Sequence, residues 1–237
     1  MFLGVVQNNN TLALSGAVTA SGSSGLAKSG AGALILAGSN SYSGGTTISQ
    51  GNLAVNGSLV GLTSVFSGGI LSGTGTVGGV TVNGGGQIAP GNPAGILKLA
   101  GNLTLLPGAA LDFSLDTLSD SSKIEMSSQT LLLDGQQFAD FNFTPLAGFG
   151  RGMYTLIDAG NSQGSLGDDL GGTIDDFPAM LVWSGNNLSL NVTPEPSTLA
   201  LLGAGALAFL VFRRCTFPAA CSGCAGGGGL WRRRGRR

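Results

Sequence analysis

Between Lys28 and Asn56 the chain is written as short runs of alternating apolar and polar residues, separated by glycine. Leu34/Leu36, Thr46/Ile48 and Leu53/Val55 hold the alternation, and Gly38, Gly44-Gly45 and Gly51-Asn52 interrupt it. Period two is the strand period, and runs this short, bounded by glycine, read as strands with tight corners. One such unit cannot bury its apolar row alone, so units must stack on one another. Three strands and three corners in about thirty residues predict one rung of a parallel β-solenoid. In that all-β fold Leu34 and Ile48 face inward and Ser41 faces solvent.

Composition agrees. Gly is 43 of 237 residues and charged residues are 10%, against roughly 7% and 25% in an average soluble domain. Ser, Thr and Asn replace the missing charge, and the 42% apolar content is too high for a chain that stays disordered. Two degenerate rungs follow. One runs from Ile70 and Leu71 through Val77, Val80 and Val82 to Ile88; the other spans Leu97–Leu105 and Ala110–Leu115. The solenoid is therefore expected over residues 1–115.

The best unit, 28–56, also resembles the autotransporter-associated β-strand repeat. The matching positions are Gly30, Gly32, Leu34, Leu36, Gly38, Asn40, Tyr42, Gly44, Thr46, Ile48, Gly51 and Leu53. The resemblance implies a right-handed parallel β-helix of the kind found in passenger regions of surface proteins. It implies no chemistry. From Asp116 onward glycine thins out, and strands are expected at 130–133, 154–157, 179–183 and 187–192, with Phe138, Phe141, Phe143, Phe149 and Phe177 supplying bulk. An open last rung is an unpaired edge, so residues 116–192 are expected to form a β-rich cap.

Residues 194–214 are tripartite: polar Pro194-Glu195-Pro196-Ser197, an uncharged apolar run at 198–212, then Arg213-Arg214. As a helix that run spans about 22 Å, short of a ~30 Å hydrocarbon core. It has no polar face, and Arg213 and Arg214 can snorkel to headgroups as a membrane stop. One membrane helix is expected there, a weak anchor. Residues 1–212 hold 4 Lys+Arg against all 12 Asp+Glu, whereas 213–237 hold 7 Arg and no acid. The basic flank belongs on the cytoplasmic side, which leaves the acidic part outside.

Residues 194–214 resemble the PEP-CTERM sorting signal of Gram-negative bacteria. The resemblance implies export, temporary anchoring in inner-membrane lipid, and processing near Pro194-Glu195-Pro196 by an exosortase-type membrane protease. It also implies association with extracellular polysaccharide at a cell surface or biofilm matrix. The family pattern stops after the basic pair, so the basic Cys/Gly-rich tail at 215–237 is expected to be a cytoplasmic extension or an out-of-frame product. Met1–Val6 has neither the charged start nor the apolar length of a secretory signal, and the true start is expected upstream.

Few residues invite chemistry. The chain has no His, so no Ser-His-Asp or Cys-His set is available. Cys221 and Cys224 have C-x-x-C spacing, with Cys215 nearby, but lack further metal ligands. Gly73, Gly75 and Gly78 match the dinucleotide fingerprint, yet strand residues follow where a helix is needed. Asp168-Asp169 and Asp175-Asp176 flank Gly171-Gly172. Paired acids can act on a glycan or hold Ca²⁺, and solvated loop acids are the simpler reading. No catalytic residue, cofactor, metal or nucleic-acid partner is expected. The function expected is structural or adhesive. The alternative is a β-helical polysaccharide lyase or hydrolase, disfavoured because the rungs carry only Lys28, Lys98 and Asp112 as charged groups. An autotransporter passenger is set aside, because a single apolar run stands where barrel strands would be needed.

Overall fold

The computed structural model describes residues 3–4, 10–20, 23–91 and 93–194. Its strands wind into stacked turns with three faces. The first face is a seven-stranded parallel sheet of Thr11–Leu14, Ala33–Leu36, Gly51–Val55, Gly69–Gly73, Gln87–Pro90, Ala110–Leu115 and Phe141–Pro145. The second face stacks Ser39–Asn40, Ser58–Leu59, Thr76–Val77 and Ile96–Leu99. The third stacks Leu26–Lys28, Thr46–Ile48, Thr63–Val65, Val80–Val82 and Leu103–Leu105. The long strand Lys123–Asp134 pairs in parallel with both Ile96–Leu99 and Leu103–Leu105, joining the second and third faces.

Register gives the repeat length. Leu34 pairs with Leu53, nineteen positions on; Leu53 pairs with Leu71, eighteen on; Leu71 pairs with Ile88, seventeen on. The rung is thus shorter than the thirty residues expected from the sequence, and residues 28–56 cover about one and a half turns. Leu34/Leu36 and Leu53/Val55 are the same face in successive turns. Alternation marks which side of a strand is buried but not which face the strand belongs to, and the two-residue strand Ser39–Asn40 is too short to alternate visibly.

The inner rows are continuous. Ile48, Val65, Val82 and Leu105 stack in register and are all fully buried, as are Leu53, Leu71, Ile88 and Leu111. Burying each such side chain contributes about 1.5–3 kcal/mol. Leu34 is buried and Ser41 exposed, as expected.

Parallel stacking does not stop at Leu115, where the cap was expected to begin. Phe141–Pro145 stacks on Ala110–Leu115, and Gly152–Ser165 stacks on Lys123–Asp134. Direction changes only at the free side of Gly152–Ser165. There Asn187–Val192 pairs antiparallel, followed by Phe177–Ser184 and then Gly171–Ile174. Aromatic rings fill this wider end: Phe113 lies 6.4 Å from both Phe141 and Phe143, and Phe149 sits 5.8 Å from Tyr154 and 6.0 Å from Phe177. The late turns exchange glycine corners for longer strands. Among the described residues no helix is long and apolar enough to cross a membrane. The expected anchor at 198–212 and the stop at Arg213 and Arg214 lie outside the described residues, as does the tail at 215–237.

Candidate functional site

The polar residues of the repeat are corner clamps. Asn40 is buried on the second face. Its Oδ1 accepts the Val18 N–H at 2.9 Å, and its Nδ2 donates to Gly38 O at 2.9 Å and to Ser58 O at 3.0 Å. One side chain therefore ties together three successive turns. Lys28 is buried too, and its Nζ donates to the Gly30 and Gln50 carbonyls at 2.6 and 2.9 Å. Burial lowers its pKa. Tyr42 shares a 2.7 Å hydrogen bond with Thr46 inside the core, and burial pushes its phenol up to about 12 despite that bond.

Close stacking explains the glycines. At Gly51, φ is +67°, and a Cβ would stand 2.5 Å from Gly30 O and 2.6 Å from Gly32 O. At Gly44 a Cβ would collide with the Ser23 and Ser24 backbone. The matched repeat positions thus set rung spacing and corner geometry, and none of them points a reactive group at solvent. Gly73, Gly75 and Gly78 bracket the two-residue strand Thr76–Val77 and open no helix.

The outward residues form rows that are mostly hydroxyl and amide side chains. On the third face, register aligns Thr47, Ser64, Thr81 and Thr104. On the second, it aligns Ser39, Ser58 and Thr76, with Lys98 and Glu125 continuing the row as an ion pair at 3.5 Å. On the first, Ser72 bonds Asn52 at 2.8 Å, and the Asp112 carboxylate takes the Gln87 amide and, at 2.6 Å, Asn142 Nδ2. Sequence reasoning missed this last group. Its signal was Asp112, the sole acid in residues 1–115, set among strand residues.

The acidic pairs sit in the cap. Asp175 and Asp176 have φ of +48° and +66° and form the two-residue turn joining Gly171–Ile174 to Phe177–Ser184. Tight hairpins of this kind need left-handed residues at both central positions, which Asp tolerates. Asp168 and Asp169 are exposed, and among the described residues no cluster of three or more metal-ligating side chains occurs.

The folded unit ends at the sorting motif. Thr193 follows the last strand, and its N–H donates to Pro178 O at 2.9 Å. Pro194 comes next; Glu195, Pro196 and Ser197 lie outside the described residues. Residues 192–214 match the PEP-CTERM protein-sorting motif, and residues 26–55 match the passenger-associated-transport-repeat. The chain carries a PEP-CTERM sorting signal behind a passenger-type repeat. It is an exported protein of Gram-negative type, sorted at its carboxy-terminal signal, with transit through a membrane. The motif implies recognition by exosortase, a membrane protease. A 104-residue stretch, 44% of this chain, is 38% identical to an extracellular serine protease of Serratia marcescens. The match covers 10% of that protein, so the chain spans about a tenth of the length of the curated relative it matches.

Proposed function

We propose that this chain is a structural and adhesive scaffold without bond-making chemistry. A right-handed β-helix, the hand that parallel crossovers overwhelmingly adopt, presents its outward rows to extracellular polysaccharide on the cell surface or in a biofilm matrix. An exosortase cleaves near Pro194-Glu195-Pro196 after the anchor at 198–212 has lodged in inner-membrane lipid. The observation that carries this reading is the outer surface of the rungs. Aligned Thr47, Ser64, Thr81 and Thr104 offer hydroxyls at the spacing of the strands, about 4.8 Å, with no charge among them. Weak contacts repeated along such a surface add up through effective concentration.

The protease named among its relatives informs the scaffold alone: the shared segment is a tenth of that protein, and a chain without His offers no Ser-His-Asp set. The expected result is that a strain lacking the gene loses matrix polysaccharide from its surface and regains it on complementation. Unchanged polysaccharide retention would contradict the scaffold. A reducing-sugar assay addresses the lyase or hydrolase reading. The account expects no turnover, and turnover abolished by Asp175→Asn would replace the scaffold with an enzyme.

A further inference from the structure

On the first face the outward surface dips into a trough of about 310 Å³. Register puts Asn52, Ile70 and Gln87 in one row, and Ala54, Ser72 and Ala89 in the next. Ser72 and Ala89 are small, so the floor is low. Ile70 and Pro93 give the trough apolar patches, and Ser114 and Thr144 lie at its far side. Its polar groups are fixed in advance. Ser72 Oγ donates to Asn52 Oδ1, and the Asp112 carboxylate is held between Gln87 and Asn142, which come from the turns on either side. Side chains already ordered lose little freedom when a ligand arrives.

The lining narrows the ligand class. Among the described residues no Lys or Arg lines the trough, so a phosphate, sulfate or uronate would meet the Asp112 carboxylate with no compensating cation there. The ring of Phe113 is turned into the core and is 1% exposed, leaving no aromatic face on which a base could stack. The volume is at the low end for ligand pockets. What fits is a neutral polyol with both donors and acceptors. Its hydroxyls can donate to Asp112 and Asn52 oxygens and accept from amide N–H groups, while C–H faces rest on Ile70 and Pro93.

We propose that this trough is a binding site for neutral glycan chains, with Asp112, Gln87 and Asn52 as its polar contacts. The proposal names a ligand class for the scaffold and rests on that reading for its biological meaning, although the binding itself can be measured in isolation. The test is affinity electrophoresis of the full chain in mild detergent through gels containing dextran, soluble starch, laminarin or alginate. The expected result is retardation by at least one of the three neutral glucans and none by alginate. Thr144→Trp, which fills the trough from its exposed edge, and Asp112→Ala should each weaken that retardation at least tenfold. Ser41→Ala, at an exposed position outside the trough, should leave it unchanged. Melting curves separate lost binding from lost fold, and Thr144→Trp is the decisive variant because Thr144 lies at the surface. Absence of retardation by all three glucans, stronger retardation by alginate, or full binding by a folded Thr144→Trp chain would each overturn the trough. If groove variants still bind glucan and the gene deletion still strips polysaccharide from cells, the trough fails and the scaffold stands. If the deletion strips nothing while Thr144→Trp abolishes binding, the trough stands and the scaffold fails.

Discussion

Gly51 in the rungs and Gly185 in the cap share nearly the same backbone, with φ of +67° and +66°, yet their surroundings differ. A Cβ on Gly51 would press on the carbonyls of the turn below, whereas a Cβ on Gly185 would meet nothing within 4 Å. In the rungs, glycine answers to the neighbouring turns. At Gly185 it answers only to its own hairpin, and Asp175 and Asp176 serve the same purpose at the other turn. Rung sequence is consequently restricted from outside each turn, and it repeats. The cap turns at Gly185 and at Asp175-Asp176 are restricted locally, and they do not repeat.

The strongest way to break this contrast is a charge in the inner row. Ile48→Asp buries an unpaired carboxylate at a fully buried site and should cost about 5 kcal/mol or more. That rivals the whole stability of a domain, so the cooperative circular-dichroism melt should vanish. Ser41→Asp, on the exposed side, should stay within about 0.5 kcal/mol of the parent. An unchanged melt for Ile48→Asp would show that the inner row is wrongly assigned.

Glycine substitution sharpens the comparison directly. Gly185→Ala should cost about 1 kcal/mol, the penalty of a left-handed side chain. Gly51→Ala adds overpacking and should reach about 3–4 kcal/mol. Equal losses in urea denaturation would mean that stacked turns impose nothing beyond φ.

Next comes the Asn40 clamp. Asn40→Ala strands the Val18 N–H and removes a donor from two carbonyls, for an expected loss of about 2 kcal/mol. A loss below about 0.5 kcal/mol would reduce Asn40 to a filler of its corner.

The smallest effect concerns pH. Burial raises the Tyr42 pKa from 10.0 to about 12. The folded state therefore holds the phenol proton more tightly than the unfolded chain, and stability falls as pH rises from about 10 towards 12. Tyr42→Phe removes this group's contribution to the alkaline slope, so the urea midpoints of parent and variant should converge between pH 9 and 11. A constant gap between the two would rule Tyr42 out as the source.

Most of the rung architecture was legible in residues 28–56, because alternation and glycine spacing are written by stacking itself. The length of the turn was not legible, since Leu34 and Leu53 occupy equivalent places and look like separate strands of one turn. The clamps Lys28 and Asn40 stood in the unit 28–56 without a stated role; each has one carbonyl partner a turn away, Gln50 for Lys28 and Ser58 for Asn40. The trough around Asp112 was invisible for the same reason: Gln87, Asp112 and Asn142 are 25 and 30 residues apart in sequence and meet only once the turns are stacked. Lys123–Asp134 and Gly152–Ser165 continue the parallel stack without the glycine punctuation of the earlier turns, so alternation with glycine corners does not mark them as further turns.

The account as a whole depends on a folded solenoid being delivered by the segment behind Thr193. Fractionation of cells producing the chain with and without residues 194–214 tests this most directly. The intact chain should be recovered in the envelope fraction and the trimmed chain outside it, with the same cooperative melt for both. Envelope recovery of the trimmed chain at the level of the intact one would contradict the account.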